Sequence, residues 1–231
     1  MEIQPKTIYV IASPLGNLAD LSLRSTEILK GVDFWIVEDS RVSGKLQKHL
    51  GISIPMKVLN DHTHPDKVRS YIDNLAEGQT CALISDAGAP GISDPGAALI
   101  DQCYENQIHV DSIPGPSAVT TALMLSGFYA QKFCFLGFLG RKSGAIKKEF
   151  ELFAKSPMPL VIFESPYRFL KLLETAFEVL GPRRYSICRE MTKLHQQVYR
   201  NTLPELPHST DVTAKGEFTI VIEGYRRNKS E

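Results

Sequence analysis

The chain has 231 residues, 43% of them apolar, with 26 basic and 26 acidic side chains and a formal net charge of zero. That length holds one large or two compact domains and buries a core without disulfide staples. The ordinary charge content excludes a disordered chain, and neutrality excludes a polybasic tail protein while leaving room for an uneven charge distribution.

The first half alternates short apolar runs with helical patterns. Thr7 to Ala12 (TIYVIA) predicts a buried strand. Leu21, Leu23, Ile28 and Leu29 follow an approximate helical period, capped by Asp20 and closed by Gly31. Phe34 to Val37 is the next strand, Ser43 to Leu50 a short helix stopped by Gly51, and Met56 to Leu59 a weak strand. Pro65 opens a helix with Val68, Tyr71, Ile72 and Leu75 on one face, ended by Gly78. Cys81 to Ile84 reads as a strand, Ala97 to Glu105 as a helix and His109 to Ile113 as a strand. Apolar strands separated by helices imply a parallel sheet covered on both faces.

After Pro114-Gly115-Pro116 the pattern changes. Ser117 caps a helix running to Leu125. Strands are expected at Phe133 to Leu136, Pro159 to Phe163, Tyr185 to Cys188, Gln197 to Tyr199 and Phe218 to Glu223, with helices at Ile146 to Phe153 and Phe169 to Leu180. The last strands follow one another without a helix, so this half reads as mixed α+β. The boundary falls near Gly115, giving domains 1–115 and 116–231. The first carries a net −6 and the second +6, a split that suggests the second half meets an anion.

Four cysteines, Cys81, Cys103, Cys134 and Cys188, form no CxxC pair and read as small buried thiols. The N-terminal apolar stretch is only strand length, which is too short for a signal peptide. No run approaches the roughly 20 apolar residues of a membrane span. The expectation is a cytoplasmic, reduced protein.

The most unusual stretch is ISDAGAPGISDPG, Ile84 to Gly96. It begins at a strand's C-terminal end, where open α/β sheets bind ligands. Its glycines allow close backbone approach, its prolines stiffen the loop, and Asp86 and Asp94 accept hydrogen bonds or cap turns. It is neither a Walker A loop nor GxGxxG. Two more loops of this kind follow strands: IPGPSAV, Ile113 to Val119, and ASPLGNLADL, Ala12 to Leu21. Loops on one edge of a parallel sheet converge on one cleft.

Other constellations are weaker. Glu38 and Asp39 follow the FWIV strand, and adjacent strand residues point opposite ways, so at most one is expected to face the cleft. His62-x-His64, flanked by Asp61 and Asp66, lacks further ligand spacing and reads as a surface turn, so no metal is expected. Glu164 and Arg168 read as an ion pair around Pro166. GRKSG, Gly140 to Gly144, reads as a solvated basic loop or a phosphate contact.

Taken together, ASPLGNLADLSLR, VEDSR, LISDAGAPGISDPG, IPGPSAVTTAL, FLGFLGRK, FESPYR, REMTKLH and KGEFTIVIEG resemble the tetrapyrrole (corrin/porphyrin) methylase superfamily. The likeness is greatest to its branch of small-subunit ribosomal RNA (cytidine-2′-O)-methyltransferases. The resemblance implies a two-domain α/β fold with a parallel first and a mixed second domain. It also implies a homodimer and an S-adenosylmethionine cleft between the domains. Carried over by position, the donor would contact Pro14, Ser85, Asp86, Gly88, Ile92 and Ser93, with Ser117, Ala118, Phe138, Glu164 and Met191 nearby.

The implied reaction is methyl transfer to a ribose 2′-hydroxyl of ribosomal RNA in the small subunit. Glu38, Asp39 and Glu190 are the candidate bases, and Arg41, Arg141, Lys142 and Lys193 the candidate RNA contacts. The chain departs from the resembled pattern at Ser40, Ala89, Tyr167 and Gln196, and it ends soon after KGEFTIVIEG, where the resembled enzymes typically carry a further segment. A porphyrinoid methyltransferase and a non-catalytic donor-binding module are the alternatives.

Overall fold

The computed structural model describes residues 2–226. Its contacts divide the chain into two compact units, Met1–Ser117 and Ala118–Glu231.

In the first unit, β1 (Thr7–Ile11), β2 (Phe34–Val37), β3 (Met56–Val58), β4 (Thr80–Ile84) and β5 (His109–Ile113) form one sheet in the order β3-β2-β4-β1-β5. Every pairing in it is parallel. Alternate residues serve opposite faces. Ile8, Phe34, Ile36, Cys81 and Leu83 pack with Tyr71, Ile72 and Leu75 of α3 (Pro65–Ala76) and Leu99 and Cys103 of α4 (Ala97–Glu105). Tyr9, Ile11, Trp35, Val37, Ala82 and Ile84 pack with Ile28 and Leu29 of α1 (Leu23–Gly31) and Leu46 of α2 (Ser40–Leu50). Each fully buried Leu or Ile contributes about 1.5–3 kcal/mol. Trp35 is wholly buried, and its indole N–H donates to the Leu29 carbonyl at 3.0 Å, which leaves no orphaned donor.

Two helix starts differ from the sequence reading. Asn17 caps a short 3-10 turn at Leu18–Asp20, and Ser22 then caps α1 by accepting from the Ser25 N–H. Asp20 therefore lies inside the turn and does not cap the helix. Asp39 starts α2 earlier than the apolar pattern suggests, accepting from the Arg41 N–H at 2.8 Å. Gly31 is the last residue of α1 and not the residue after it. A Cβ there would meet Ile3 Cδ1, the far end of a half-buried side chain that can turn aside.

In the second unit, β6 (Cys134–Phe138), β7 (Leu160–Glu164), β8 (Arg184–Arg189), β9 (Gln197–Thr202) and β10 (Phe218–Ile222) form a sheet in the order β6-β7-β10-β8-β9. Only β6 and β7 pair in parallel. Leu160, Ile162, Tyr185, Ile187, Ile220 and Ile222 pack with α6 (Ser143–Glu151) and α7 (Phe169–Leu180). Val161, Cys188 and Val221 pack on the opposite face with α5 (Ala118–Ser126). Because β7 and β8 both run antiparallel to β10, the C-terminal ends of β6, β7 and β8 share one sheet edge. This α/β architecture, one parallel and one mixed sheet, agrees with the fold class read from the sequence. Among the described residues, no helix is long and apolar enough to cross a membrane.

Candidate functional site

Parallel pairing brings the C-terminal ends of β1 to β5 to one edge of the first sheet. There the loops after β1, β4 and β5 touch through their backbones. The Ser13 N–H donates to the Gly88 carbonyl at 2.7 Å, and the Gly88 N–H returns a bond to the Ser13 carbonyl at 3.0 Å. The Ala12 N–H donates to the Ile113 carbonyl at 3.4 Å. Gly88 sits at φ +83°, where an L side chain is strained, and its Cβ position lies 3.4 Å from Leu15. The Ser85 hydroxyl donates to the Gly88 carbonyl at 3.3 Å. Pro14, Ser85 and Gly88 are buried, Ser117 is half-buried, and Ile92 and Ser93 are exposed. The buried Ser13 Oγ has no hydrogen-bond partner among the described residues.

Beside these loops, the ends of β2, β3 and β4 line an open cavity of about 510 Å³. Its lining includes Glu38, Asp39, Asp61, Asp86 and Asp94, with Asn60, His62 and Ser93. Burial, then the charges of Asp86 and Asp94, raises the Glu38 carboxyl above its ordinary 4.5, against a hydrogen bond from the Asp86 N–H. Burial likewise raises Asp86 and Asp94, opposed by the Asp39 N–H and the Ser85 hydroxyl respectively. Asp39 goes the other way: hydrogen bonds from the Arg41 side chain and backbone hold it down to about 2.

Glu38 and Asp39 both line the cavity, contrary to the expectation that only one would face it. The strand ends at Val37, so Asp39 has already turned to cap α2. Asp61 and His62, read in sequence as a surface turn, belong to the lining as well. The available signal was their position just after the weak strand at Met56–Val58. Among the described residues, no group of three or more His, Cys, Asp or Glu could hold a metal ion.

The remaining candidate residues, Arg41 apart, lie in the second unit. Phe138 is 67% exposed, with its ring 5.5 Å from that of Phe163. Buried Glu164 accepts from the Ser165 N–H at 2.7 Å and meets the Arg168 guanidinium at 3.3 Å. That guanidinium also donates to the carbonyls of Leu139 and Gly140, each at 3.0 Å. Met191 is buried among Val119, Ala122 and Leu123, and Ala118 packs against that cluster. Glu190 Oε1 accepts from Lys193 Nζ at 3.0 Å and from the Glu217 N–H at 2.9 Å. Burial raises its carboxyl, but these bonds outweigh burial and leave it lowered. Lys193 also pairs with Glu217 at 3.1 Å. Arg41, Arg141 and Lys142 are exposed.

The family model of the tetrapyrrole (corrin/porphyrin) methylases matches residues 7–207. A Haemophilus influenzae protein named ribosomal RNA small subunit methyltransferase I is 41% identical, over 94% of this chain and 78% of its own length. A Thermotoga maritima protein of the same name is 37% identical, over 94% of this chain and 98% of its own length. The further C-terminal segment is therefore not shared by every such relative. Among solved structures, the uroporphyrin-III-C-methyltransferase from Thermus thermophilus superposes with a TM-score of 0.65 at 15% identity, covering 94% of each chain. A cobalt precorrin-4 methyltransferase gives 0.68 at 13% identity, covering 94% of this chain and 95% of its own.

Proposed function

The chain belongs to the tetrapyrrole (corrin/porphyrin) methylase family, and from that premise we propose that it methylates a cytidine ribose 2′-hydroxyl in small-subunit ribosomal RNA, using S-adenosylmethionine. When bound, S-adenosylmethionine supplies an electrophilic methyl group on a positively charged sulfur. The carboxylate-lined cavity at the ends of β2, β3 and β4 is the observation that carries this reading. Closely spaced carboxylates favour a cationic ligand. The unpartnered Ser13 Oγ and the side-chain-free Gly88 beside it leave a polar, closely approachable surface. These features fit a small cationic donor held by Pro14, Ser85, Asp86, Gly88, Ile92 and Ser93. In this reading Ser117, half-buried at the end of the first unit, adds to the donor contacts.

The same carboxylates repel phosphate. RNA phosphates are therefore assigned to basic side chains of the second unit, Arg141 and Lys142 first, since both are exposed. Lys193 suits this role less, because Glu190 and Glu217 neutralise it. Arg41 is held by Asp39.

Among the three candidate bases, Glu38 is the best suited. Asp39 is committed to Arg41 and to the α2 cap, and Glu190 to Lys193 and the Glu217 N–H. Burial raises Glu38 and makes it the stronger proton acceptor. As the acceptor oxygen gains its methyl group, Glu38 takes the hydroxyl proton.

Transfer of tritium from methyl-labelled S-adenosylmethionine to small ribosomal subunits tests the proposal. Label recovered in 2′-O-methylcytidine is the expected result. No incorporation by a protein that binds the donor would overturn the RNA reading.

A further inference from the structure

We propose that Tyr167 is a stacking platform for an unpaired nucleobase of the RNA, presented beside the basic loop at Arg141 and Lys142. The inference rests on the RNA reading above and adds the conformation in which the RNA is taken: single-stranded at the contact.

Tyr167 is 88% exposed, among the most open large side chains of the described residues. Exposure alone is ordinary for one aromatic residue. The turn that carries it is more specific. The Tyr167 N–H donates to the Ser165 hydroxyl at 3.2 Å, and the Arg168 N–H donates to the Ser165 carbonyl at 3.0 Å. Pro166 fixes the backbone between them. Arg168 then closes the turn from below, reaching Glu164 and the carbonyls of Leu139 and Gly140. A large ring is thus held in water on a backbone that has little freedom left to lose. Such preorganisation lowers the cost of binding a partner.

The clamp also sets the neighbourhood. Because Arg168 binds Gly140, the Tyr167 turn is tied to the loop that continues as Arg141-Lys142, both exposed. The nearest acid in sequence, Glu164, is buried and already paired with Arg168. An exposed ring beside free cations matches the π-face and the phosphate of a nucleotide together. A duplex keeps its bases stacked inside and offers no such face.

The sole tryptophan, Trp35, is fully buried in the first sheet. Tyr167→Trp in the full chain therefore adds one exposed reporter over a constant background. Expected results are quenching by single-stranded oligocytidylate and none by the same sequence in a duplex. Tyr167→Ala should weaken single-strand binding on the order of tenfold and raise KM for small subunits, with donor affinity unchanged. Tyr167→Phe should bind like wild type. Tyr129→Ala should also leave binding unchanged, because that exposed ring precedes β6 at the other end of the strand. RNA that binds by anisotropy without quenching Tyr167→Trp, equal quenching by duplex, or an unaffected Tyr167→Ala would overturn the stacking role while leaving the RNA reading standing. RNA binding absent even from the wild type would overturn both.

Discussion

The main-chain N–H of Asp39 donates to Oδ1 of Asp86 at 3.2 Å, joining the end of β2 to the end of its neighbour β4. The bond lets a half-buried carboxylate stand beside other carboxylates with a main-chain donor as partner. The Asp86 N–H in turn serves Glu38. The acid cavity is therefore wired through the backbone, and single side-chain changes in it should alter chemistry more than architecture.

Glu38→Gln tests this first. Loss of a general base lowers kcat by roughly 10²- to 10⁴-fold, and donor affinity should persist. Wild-type activity should fall as pH drops through a pKa above 4.5, and the variant's residual activity should lack that limb. Stability should move the other way. A carboxyl whose folded pKa is raised above its unfolded value contributes stability that is lost as pH rises through that folded pKa. Glu38→Gln should therefore melt higher than wild type at pH 7, with the gap shrinking as pH falls through that raised pKa and closed below pH about 4. Equal melting temperatures across that range would contradict the burial argument.

Arg141→Ala and Lys142→Ala should each weaken RNA binding and reduce the dependence of log K on log salt by about one unit. Lys193→Ala should behave differently. It removes the cation between Glu190 and Glu217, so the melting temperature should fall while the salt slope barely changes. Titrations at several salt concentrations separate the two classes.

Gly224→Ala should cost roughly 1–3 kcal/mol or more, the range for overpacking a close contact. A Cβ at Gly224 would lie 2.0 Å from the Pro157 carbonyl oxygen, and main chain cannot swing aside as a side chain does. Denaturant unfolding measures the loss. A neutral outcome would mean that the segment around Pro157 moves freely.

Native thiol titration should find Cys81, Cys103 and Cys188 unreactive. Burial raises all three, Cys103 to about 11, so thiolate is scarce at neutral pH. Cys134 is only half-buried and should react first. Rapid labelling of all four before unfolding would contradict this packing.

Periodicity exposed most of the architecture. Ala97–Glu105, His109–Ile113 and Phe169–Leu180 have the bounds their apolar spacing suggests. Capping was harder, because Asn17, Asp20 and Ser22 are all good caps and only the turn geometry chooses among them. The loops after β1, β4 and β5 were legible from their Gly and Pro content. The Asn60–His62 wall of the cavity was not. It depends on β3 pairing beside β2, and no local pattern states which strands become neighbours. The commitments of Asp39 and Glu190 were hidden for a similar reason: their partners are fixed by capping and by the residue that leads into β10, not by residue type.

The strand order has a consequence for how the chain is made. Among the described residues β1 pairs only with β4 and β5, so its first partner lies about 70 residues further on. At a synthesis rate of ~5–20 residues per second, TIYVI waits several seconds with both edges open. That interval is a window in which a nascent apolar strand meets chaperones or other chains before its own sheet exists. Truncations that stop before Thr80 should leave it permanently in that condition.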